Sequence, residues 1–247
     1  GEFINRRHAL RVGVAILIVL VASPAVSRAG EGSWNDLMRG GTVVVDHPPH
    51  NTGGLASDTD FLDNFGDPLW QRVADQVTVA QSATIGRIKW WGFYHLDNPP
   101  VDETFRIRLY GARPTDGLPD ECNLLFEHTT STQNRTGTGR RIASGVAPHE
   151  YLFDTALPSP FTLPAGVTRW LEIVQVGDPS TRFRWEFSLA DDNGQAFNNP
   201  IVGDWQATSS TSSNSAFQLI AVPETSTLLA VLPALVLIVR TRRSHRA

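Results

Sequence analysis

Polar and apolar residues alternate with a period of two along much of the centre of this 247-residue chain. At residues 182–189 every second residue is apolar and its neighbours are polar, and residues 105–110 repeat the pattern with both arginines on the polar side. Successive side chains of an extended strand point to opposite faces, so this period predicts half-buried β-strands. A chain patterned in this way buries its apolar faces by stacking one sheet on another.

Clusters of proline, glycine, asparagine and aspartate separate the alternating segments, as at residues 97–100, 113–117 and 157–160. These clusters favour turns, and the segments between them lack sustained helical spacing. Many short strands joined by turns are typical of sandwiches and jelly rolls. We therefore predict an all-β fold with a single jelly-roll-like β-sandwich over residues 61–222. Residues 30–60 are predicted to be an irregular N-terminal segment, with an edge strand at Thr42 to Val45 as its one candidate element.

The first 29 residues have the layout of a secretory signal peptide. A positively charged start precedes an apolar core at residues 12–22, which is too short to span a membrane. Small residues then offer cleavage sites after Ser27 or Ala29. We expect export and removal of residues 1–29 by signal peptidase, while Gly1, in place of a methionine, leaves the true start codon open. The early positive charges are Arg6, Arg7 and Arg11.

The C-terminal segment, residues 223–247, combines a Pro-Glu pair, a short apolar stretch and a basic cluster. The apolar stretch covers residues 228–239 and is interrupted by Pro233, whereas a stable spanning helix needs roughly 17–25 apolar residues. A short hydrophobic helix of this kind suits a transient anchor. The arginines behind it would stay on the cytoplasmic side by the positive-inside rule. These arginines are Arg240, Arg242 and Arg243.

The order of Pro223-Glu224, hydrophobic helix and arginine cluster resembles the PEP-CTERM sorting signal of exported bacterial proteins. The family pattern is Pro-Glu-Pro, and in this chain Thr225 replaces the second proline. The resemblance implies that an exosortase-type transpeptidase of an exopolysaccharide-producing bacterium recognises the tail around Pro223 and Glu224 and cuts it there or nearby. The alternative interpretation is an ordinary C-terminal membrane tail that stays attached.

Removal of both terminal segments would leave a strongly acidic protein. The whole chain has 21 basic and 25 acidic residues, and residues 1–29 and 225–247 together hold eight of the arginines but only one acid, Glu2. The remainder carries 13 basic against 24 acidic groups, a net charge near −11. Nucleic acids and anionic lipids repel such a protein. We therefore expect no nucleic-acid partner, and membrane contact only through the tail before processing.

Cys122 is the only cysteine of the chain. A single cysteine forms no intramolecular disulfide and builds no thiolate zinc site. Pairing between chains and a nucleophilic role are the functional alternatives for this thiol. We expect a buried or idle thiol near the turn at residues 117–121.

Four segments of the predicted sandwich, residues 73–79, 85–92, 105–110 and 117–119, stand in a distinctive order and spacing. They resemble a β-sandwich module that recurs in proteins with a PEP-CTERM tail, and the resemblance covers roughly residues 61–222. It implies a fold and a location in the cell envelope. It implies no activity, no catalytic residue and no cofactor.

Tryptophan supplies the best candidates for a ligand-binding surface, since the chain has seven. Trp90 and Trp91 are consecutive in a predicted strand and point to opposite faces, so both cannot enter one core. An exposed Trp91 beside Phe93 and Lys89 would stack on a sugar ring, whose C–H face suits an aromatic plane. Coverage of Trp91 by a loop or by residues 40–60 is the structural alternative.

Two acidic loops, residues 58–64 and 191–194, supply oxygen ligands of the kind that Ca²⁺ prefers. Neither has the 12-residue EF-hand pattern, and aspartate and asparagine also form turns without a metal. We predict no metal site and no cofactor, with a structural Ca²⁺ ion as the alternative.

The chain carries no motif of a known catalytic site, such as a Gly-x-Ser-x-Gly elbow, His-Glu-x-x-His or a glycine-rich phosphate loop. A glycosidase needs only two carboxylates at a set distance, which a sequence does not reveal. We predict no catalytic residues and a non-catalytic exported protein of the cell envelope, cell surface or extracellular matrix. The alternatives are a carbohydrate-binding module for exopolysaccharide and, less favoured, an envelope hydrolase.

Overall fold

The structure, a computed structural model, describes most of the chain between residues 41 and 222. The predicted signal peptide and the predicted sorting signal lie outside the described residues. Internal contacts divide the chain into residues 1–39 and 40–247, and every described residue belongs to the second unit. In that described part, no helix is long and apolar enough to cross a membrane. The described ranges are residues 41–60, 70–131, 135–143, 147–177, 181–190, 194–208 and 214–222.

The described residues form an all-β fold of two antiparallel sheets, consistent with a β-sandwich, so the predicted fold class is confirmed at this level. In sheet A, β4 lies between β8 on one side and β14 and β10 on the other. Sheet B has the order β12-β11-β3-β9-β5-β6. Sheet A consists of β1 (Thr42–His47), β2 (Pro49–Ala56), β4 (Ala83–Tyr94), β7 (Thr136–Arg141), β8 (His149–Leu163), β10 (Phe183–Ser188), β13 (Asn214–Ser215) and β14 (Phe217–Ala221). Sheet B consists of β3 (Arg72–Val77), β5 (Thr104–Ala112), β6 (Pro119–Thr130), β9 (Arg169–Val176), β11 (Gln195–Asn198) and β12 (Gln206–Ala207).

Apolar side chains from both sheets share one core. Trp90 of sheet A stacks on Phe153 with ring centroids 5.3 Å apart and meets Phe105 of sheet B edge-on, also at 5.3 Å. Full burial of a large apolar side chain contributes roughly 1.5–3 kcal/mol. The rings therefore join the two sheets as well as filling the space between them.

The alternation predicted from the sequence is confirmed in β5. Phe105 and Ile107 are buried in the core, whereas Arg106 and Arg108 on the opposite face are half exposed. The same alternation places Phe183 and Trp185 of β10 in the core. Period-two segments thus identify which face of each strand points inward.

For residues 41–60, the described part of the predicted irregular segment 30–60, the structure corrects the prediction, because strands of the sandwich begin before residue 61. The predicted edge strand is confirmed as part of β1, which pairs with β14. The next segment, however, forms β2 and pairs with β10. Its sequence Pro-His-Asn-Thr-Gly-Gly-Leu-Ala lacks apolar alternation, and Gly54 permits a close approach, because a Cβ there would lie 2.2 Å from the carbonyl oxygen of Trp185.

The turn predicted at residues 157–160 is also wrong, because these residues lie within β8. In the pairing of β8 with β4, Phe161 is opposite Ile85 and Ala156 is opposite Arg87. Four residues of β8 therefore face the single residue Gly86, which makes a large bulge. The prolines that indicated a turn are accommodated in this bulge.

Candidate functional site

Both predicted ligand-binding residues lie on β4, and its alternation places them on the outer face of sheet A. Trp91 is half buried there, whereas Phe93 is only 4% exposed. The prediction that Phe93 is an exposed ligand contact is therefore wrong. The segment at residues 140–143 crosses over this face from β7 towards β2, where the Ala143 backbone N–H donates to the carbonyl oxygen of Asn51 over 3.0 Å.

Two fully buried glutamates, Glu150 of β8 and Glu186 of β10, interact beneath this crossing segment. The Nε of Arg140 donates to Oε1 of Glu150 over 3.0 Å, and its Nη2 donates to Oε2 of the same carboxylate. The same Nη2 lies 3.8 Å from Oε1 of Glu186. That oxygen also accepts the backbone N–H of Asn51 over 2.7 Å. Four strands thus contribute to one closed charge cluster.

Burial and the hydrogen bond and charge of Glu150 raise the pKa of Glu186 to about 8. The Asn51 N–H and the Arg140 guanidinium oppose this rise only in part. The desolvated carboxyl therefore keeps its proton at neutral pH, because two adjacent buried carboxylates repel each other. The buried pair thus brings β8 and β10 together on the outer face of the sheet.

Two adjacent carboxyl groups are also the groups that a hydrolase requires, but this pair lacks access to solvent. Acid–base enzymes use two carboxyl groups whose environments separate their pKa values, and a glycosidase places the two groups on either side of its substrate. Here both carboxyl groups have no exposed surface, and Arg140 occupies the side that faces solvent. The pair is arranged to hold the crossing segment down.

We expect the stability of the protein to fall as pH rises from about 4.5 to about 8, and this fall to be reduced in Glu186→Gln. The folded protein holds a proton on Glu186 up to about pH 8, whereas the unfolded chain releases it near the ordinary pKa of 4.5. The stabilisation is therefore complete below pH 4.5 and is lost as pH rises through the folded pKa.

Urea denaturation of wild type and Glu186→Gln at pH 5, 6.5 and 8 measures this contribution. The difference between the two proteins should change by up to roughly 1.4 kcal/mol per pH unit. Parallel pH profiles for the two proteins would mean that Glu186 is already ionised in the folded state at pH 5.

A second polar cluster lies at the start of β8, where His149 contacts Asp97. The Nδ1 of His149 lies 2.8 Å from Oδ2 of Asp97, and the His149 backbone N–H donates to Oδ1 over 2.9 Å. Nη2 of Arg141 lies 2.9 Å from the other ring nitrogen. Although partial burial opposes it, these hydrogen bonds and charges lower the pKa of Asp97 below its ordinary value. Both ring nitrogens of His149 are therefore engaged within the protein.

The backbone beside this cluster is strained. Leu96 and Asp97 have φ values of 61° and 56°, and such left-handed backbone is uncommon for residues other than glycine. The bonds from His149 to Asp97 hold this conformation. His149 and Asp97 are 52 positions apart in the chain, so no local sequence pattern relates them.

In the first acidic loop, residues 58–64, the carboxylates of Asp58 and Asp60 accept hydrogen bonds from backbone N–H groups. Oδ1 of Asp58 accepts the Asp60 N–H over 2.8 Å, and Oδ2 of Asp60 accepts the Gly177 N–H over 2.6 Å. Among the residues that the structure describes, no three histidine, cysteine, aspartate or glutamate side chains group together as metal ligands. Asp63, Asn64 and residues 191–193 lie outside the described residues, so structural Ca²⁺ remains an untested alternative.

Cys122 lies in β6 close to the predicted turn, and its thiol is exposed and free, so the expectation of a buried thiol is wrong, whereas an idle thiol stays a prediction. β6 begins at Pro119, and the predicted turn ends there. The predicted sorting residues lie outside the described residues. They are Pro223, Glu224, Arg240, Arg242 and Arg243.

The sequence of the chain matches the model of a protein family. A family described as "Domain of unknown function (DUF7901)" matches residues 45–228, about three quarters of the chain. The chain belongs to the DUF7901 family. The matched range begins within β1 and covers all later strands, so it contains both polar clusters of sheet A. No curated protein matches the chain, and the DUF7901 description assigns no activity to these clusters.

Proposed function

We propose that this DUF7901 protein is an exported, non-catalytic component of the cell envelope, cell surface or extracellular matrix. In this proposal signal peptidase removes residues 1–29, and an exosortase-type transpeptidase processes the tail at Pro223-Glu224. The tail contacts the membrane only before that step. The proposal includes the finer fold assignment, a jelly-roll-like sandwich between a signal peptide and a short hydrophobic helix.

The observation that carries the proposal is the position of the Pro-Glu motif relative to the last strand. β14 ends at Ala221, and the backbone N–H of Val222 still donates to the carbonyl oxygen of Thr84 over 2.9 Å. The motif begins at the next residue, Pro223. A cut at or just after the motif would therefore keep every strand that the structure describes.

The pairing of β14 supports the same role. This strand lies between β1 and β4 and pairs with both. A new C-terminus near Glu224 would follow a strand that is fixed on both sides. A group joined there by a transpeptidase would be attached next to a strand that is paired on both sides, which suits a protein held at the surface by its C-terminus.

Intact mass spectrometry of the protein from its producing cells tests the processing. We expect a C-terminus near Glu224 for the wild type, and a C-terminus at Ala247 when Arg240, Arg242 and Arg243 are all changed to glutamine. With Arg246 as its one remaining arginine, the tail would be held less firmly on the cytoplasmic side before cleavage. Arg246→Gln, a single change in the same tail, is the matched control and should be processed normally.

A wild-type protein that still ends at Ala247 would contradict the proposed processing and leave an ordinary membrane tail. Normal processing of the triple variant would contradict the role given to the three arginines. The circular dichroism of the exported domain should be the same for all variants, because the changes lie beyond the last strand.

A second candidate function is association with exopolysaccharide. It is favoured by Trp91, which is half buried on the outer face of sheet A and so keeps part of its surface exposed, with half-buried Lys89 two residues before it. An indole plane with a polar neighbour suits the C–H face and the hydroxyls of a sugar ring. The burial of Phe93 leaves Trp91 without the second aromatic plane that the sequence predicted.

A further inference from the structure

The sandwich is open along one side, between β6 and the second half of β8. In the described part of the chain, β6 is an edge strand that pairs with β5, and β7 pairs with β8 at residues 149–152. A cleft of about 470 Å³ lies on this side, where the end of β6 faces the middle of β8. Six of its lining residues carry polar side chains, namely His128, Thr129, Thr130, Ser131, Asp154 and Thr155.

The strand alternation shows that three of these polar residues occupy core-facing positions. Phe126 of β6 packs against the core, so His128 and Thr130, two and four residues later, point to the same face. Phe153 of β8 is a core residue, so Thr155 also points inward. Both threonines are nearly buried, with 7% and 6% exposed surface. A sandwich edge built only for stability would place apolar side chains at these positions.

The carboxylate of Asp154 is held in place on the outer-face side of β8, because Asp154 alternates with the core-facing residues Phe153 and Thr155. Nε of Arg87 donates to Oδ1 of Asp154 over 2.6 Å, and Nη2 of the same guanidinium donates to Oδ2. Nζ of Lys89 lies 4.0 Å from Oδ2. The Asp154 oxygens keep further lone pairs for acceptance. The cleft therefore combines hydroxyl groups on its core-facing side with a held carboxylate on its outer-face side.

We infer that this cleft binds a unit of a neutral saccharide. Hydroxyl and carboxylate groups on strands match the vicinal hydroxyls of a sugar, and Ala156 and Pro158 in the lining supply an apolar surface for its C–H face. The volume lies in the range of small-ligand sites. The acidic domain repels polyanions, which favours neutral polymers over acidic ones.

This inference deepens the second candidate function, association with exopolysaccharide, by giving it a neutral ligand and a site distinct from Trp91. The cleft opens at the edge of the sandwich, so a polymer could enter with one unit and continue outside. Trp91 lies on the outer face of sheet A, which it shares with Asp154, whereas Thr155 points towards the core. Thr155→Val and Trp91→Ala therefore separate the two locations.

Affinity electrophoresis of the full-length protein tests the site, with gels that contain dextran or galactomannan as neutral probes and alginate as the acidic probe. We expect retention by at least one neutral probe. Thr155→Val, which removes only a hydroxyl, and Asp154→Asn should each raise the dissociation constant at least tenfold. Thr129→Val at the exposed rim is the variant to use if Thr155→Val lowers the melting temperature by more than about 5 °C.

Thr162→Val is the matched control, because Thr162 lies on the same strand and its hydroxyl faces that of Thr84 at 3.4 Å, away from the cleft lining. This variant should bind like the wild type. Retention that is lost in Trp91→Ala but kept in the cleft variants would overturn the inference in favour of the outer face. Retention by alginate alone, or by none of the three probes, would also overturn it.

The mass of the processed C-terminus is measured separately from saccharide binding. A protein that is processed normally and binds no saccharide contradicts only the cleft. A protein that binds through the cleft and keeps residue 247 contradicts only the proposed processing.

Discussion

Replacement of Arg140 by methionine is expected to lower the free energy of unfolding by about 3 kcal/mol, because removal of one partner leaves buried charge uncompensated. Arg140 lies within 4 Å of carboxylate oxygens of both Glu150 and Glu186, and neither carboxyl has exposed surface. The guanidinium itself is 43% exposed, so the cost arises from the two desolvated carboxyls that it leaves behind. Urea denaturation at pH 7 measures the loss.

The control for this prediction is Arg141→Met, at the next position of β7. Arg141 is 53% exposed and lies 3.9 Å from Asp97, and exposed ion pairs contribute about 1 kcal/mol or less. Glu150→Gln and Glu186→Gln together should restore most of the stability of Arg140→Met, since a cluster without charge no longer needs the cation. A triple variant as unstable as Arg140→Met would assign the loss to packing of the Arg140 methylenes instead.

Replacement of Glu172 by alanine is expected to cost a similar amount, about 3 kcal/mol, on the outer face of sheet B. Glu172 has no exposed surface and accepts hydrogen bonds from Arg72 Nε over 3.0 Å, Arg72 Nη2 over 2.7 Å and the Tyr110 hydroxyl over 2.6 Å. Burial and the charge of Glu172 raise the pKa of Tyr110, which therefore remains a neutral donor. Alanine would leave both donors without their main acceptor.

This cluster also holds a covering aromatic residue. The Arg72 guanidinium lies 4.9 Å from the ring centroid of Trp205, and Trp205 Nε1 donates to Glu121 over 3.0 Å. Loss of Glu172 should therefore loosen Arg72 and change the near-ultraviolet circular dichroism of tryptophan as well as the stability. Glu172→Gln keeps the shape of the side chain and separates the effect of charge from that of packing.

Glu127→Ala is the matched control on the same sheet. Glu127 pairs with Arg108, and its side chain is 42% exposed, so we expect a change of less than about 1 kcal/mol. Equal losses of unfolding free energy in Glu172→Ala and Glu127→Ala would contradict the prediction, since the buried carboxylate would then contribute no more to stability than the exposed one. Both variants are compared by urea denaturation at pH 7.

These two clusters lie on sheet faces that the alternation assigns to the polar side. The pattern at residues 182–189 correctly placed Trp185 inward and Glu186 outward, but the outward side chain proved to be fully buried. Phe93 shows the same limitation of alternation. Its strand and the face to which it points were predicted correctly, but the side chain is buried although it was predicted to be exposed. Alternation reports the direction of a side chain, which is a local property. It does not report what covers the face from elsewhere in the chain.

Strand β2 shows a different limit. Its residues have little apolar patterning, and it becomes a strand because Gly54 can approach the backbone of β10 closely. Its partner lies far away in the sequence, as the hydrogen bond between Asn51 and Glu186 spans 135 positions. No local signal could identify this pairing, whereas β5, with its regular alternation, was predicted with its buried face.

The all-β class and the inward faces of the patterned strands follow from the amino-acid sequence alone, because both depend on the period of two and on turn residues. The single cysteine and the excess of acidic over basic residues are likewise properties of the sequence. Tertiary structure alone decided that Glu150 meets Glu186, that Phe93 is covered, and that Thr130 and Thr155 line one cleft. Each of these depends on strands brought together from distant parts of the chain, and their pairing is decided by packing and hydrogen bonds that no short segment contains.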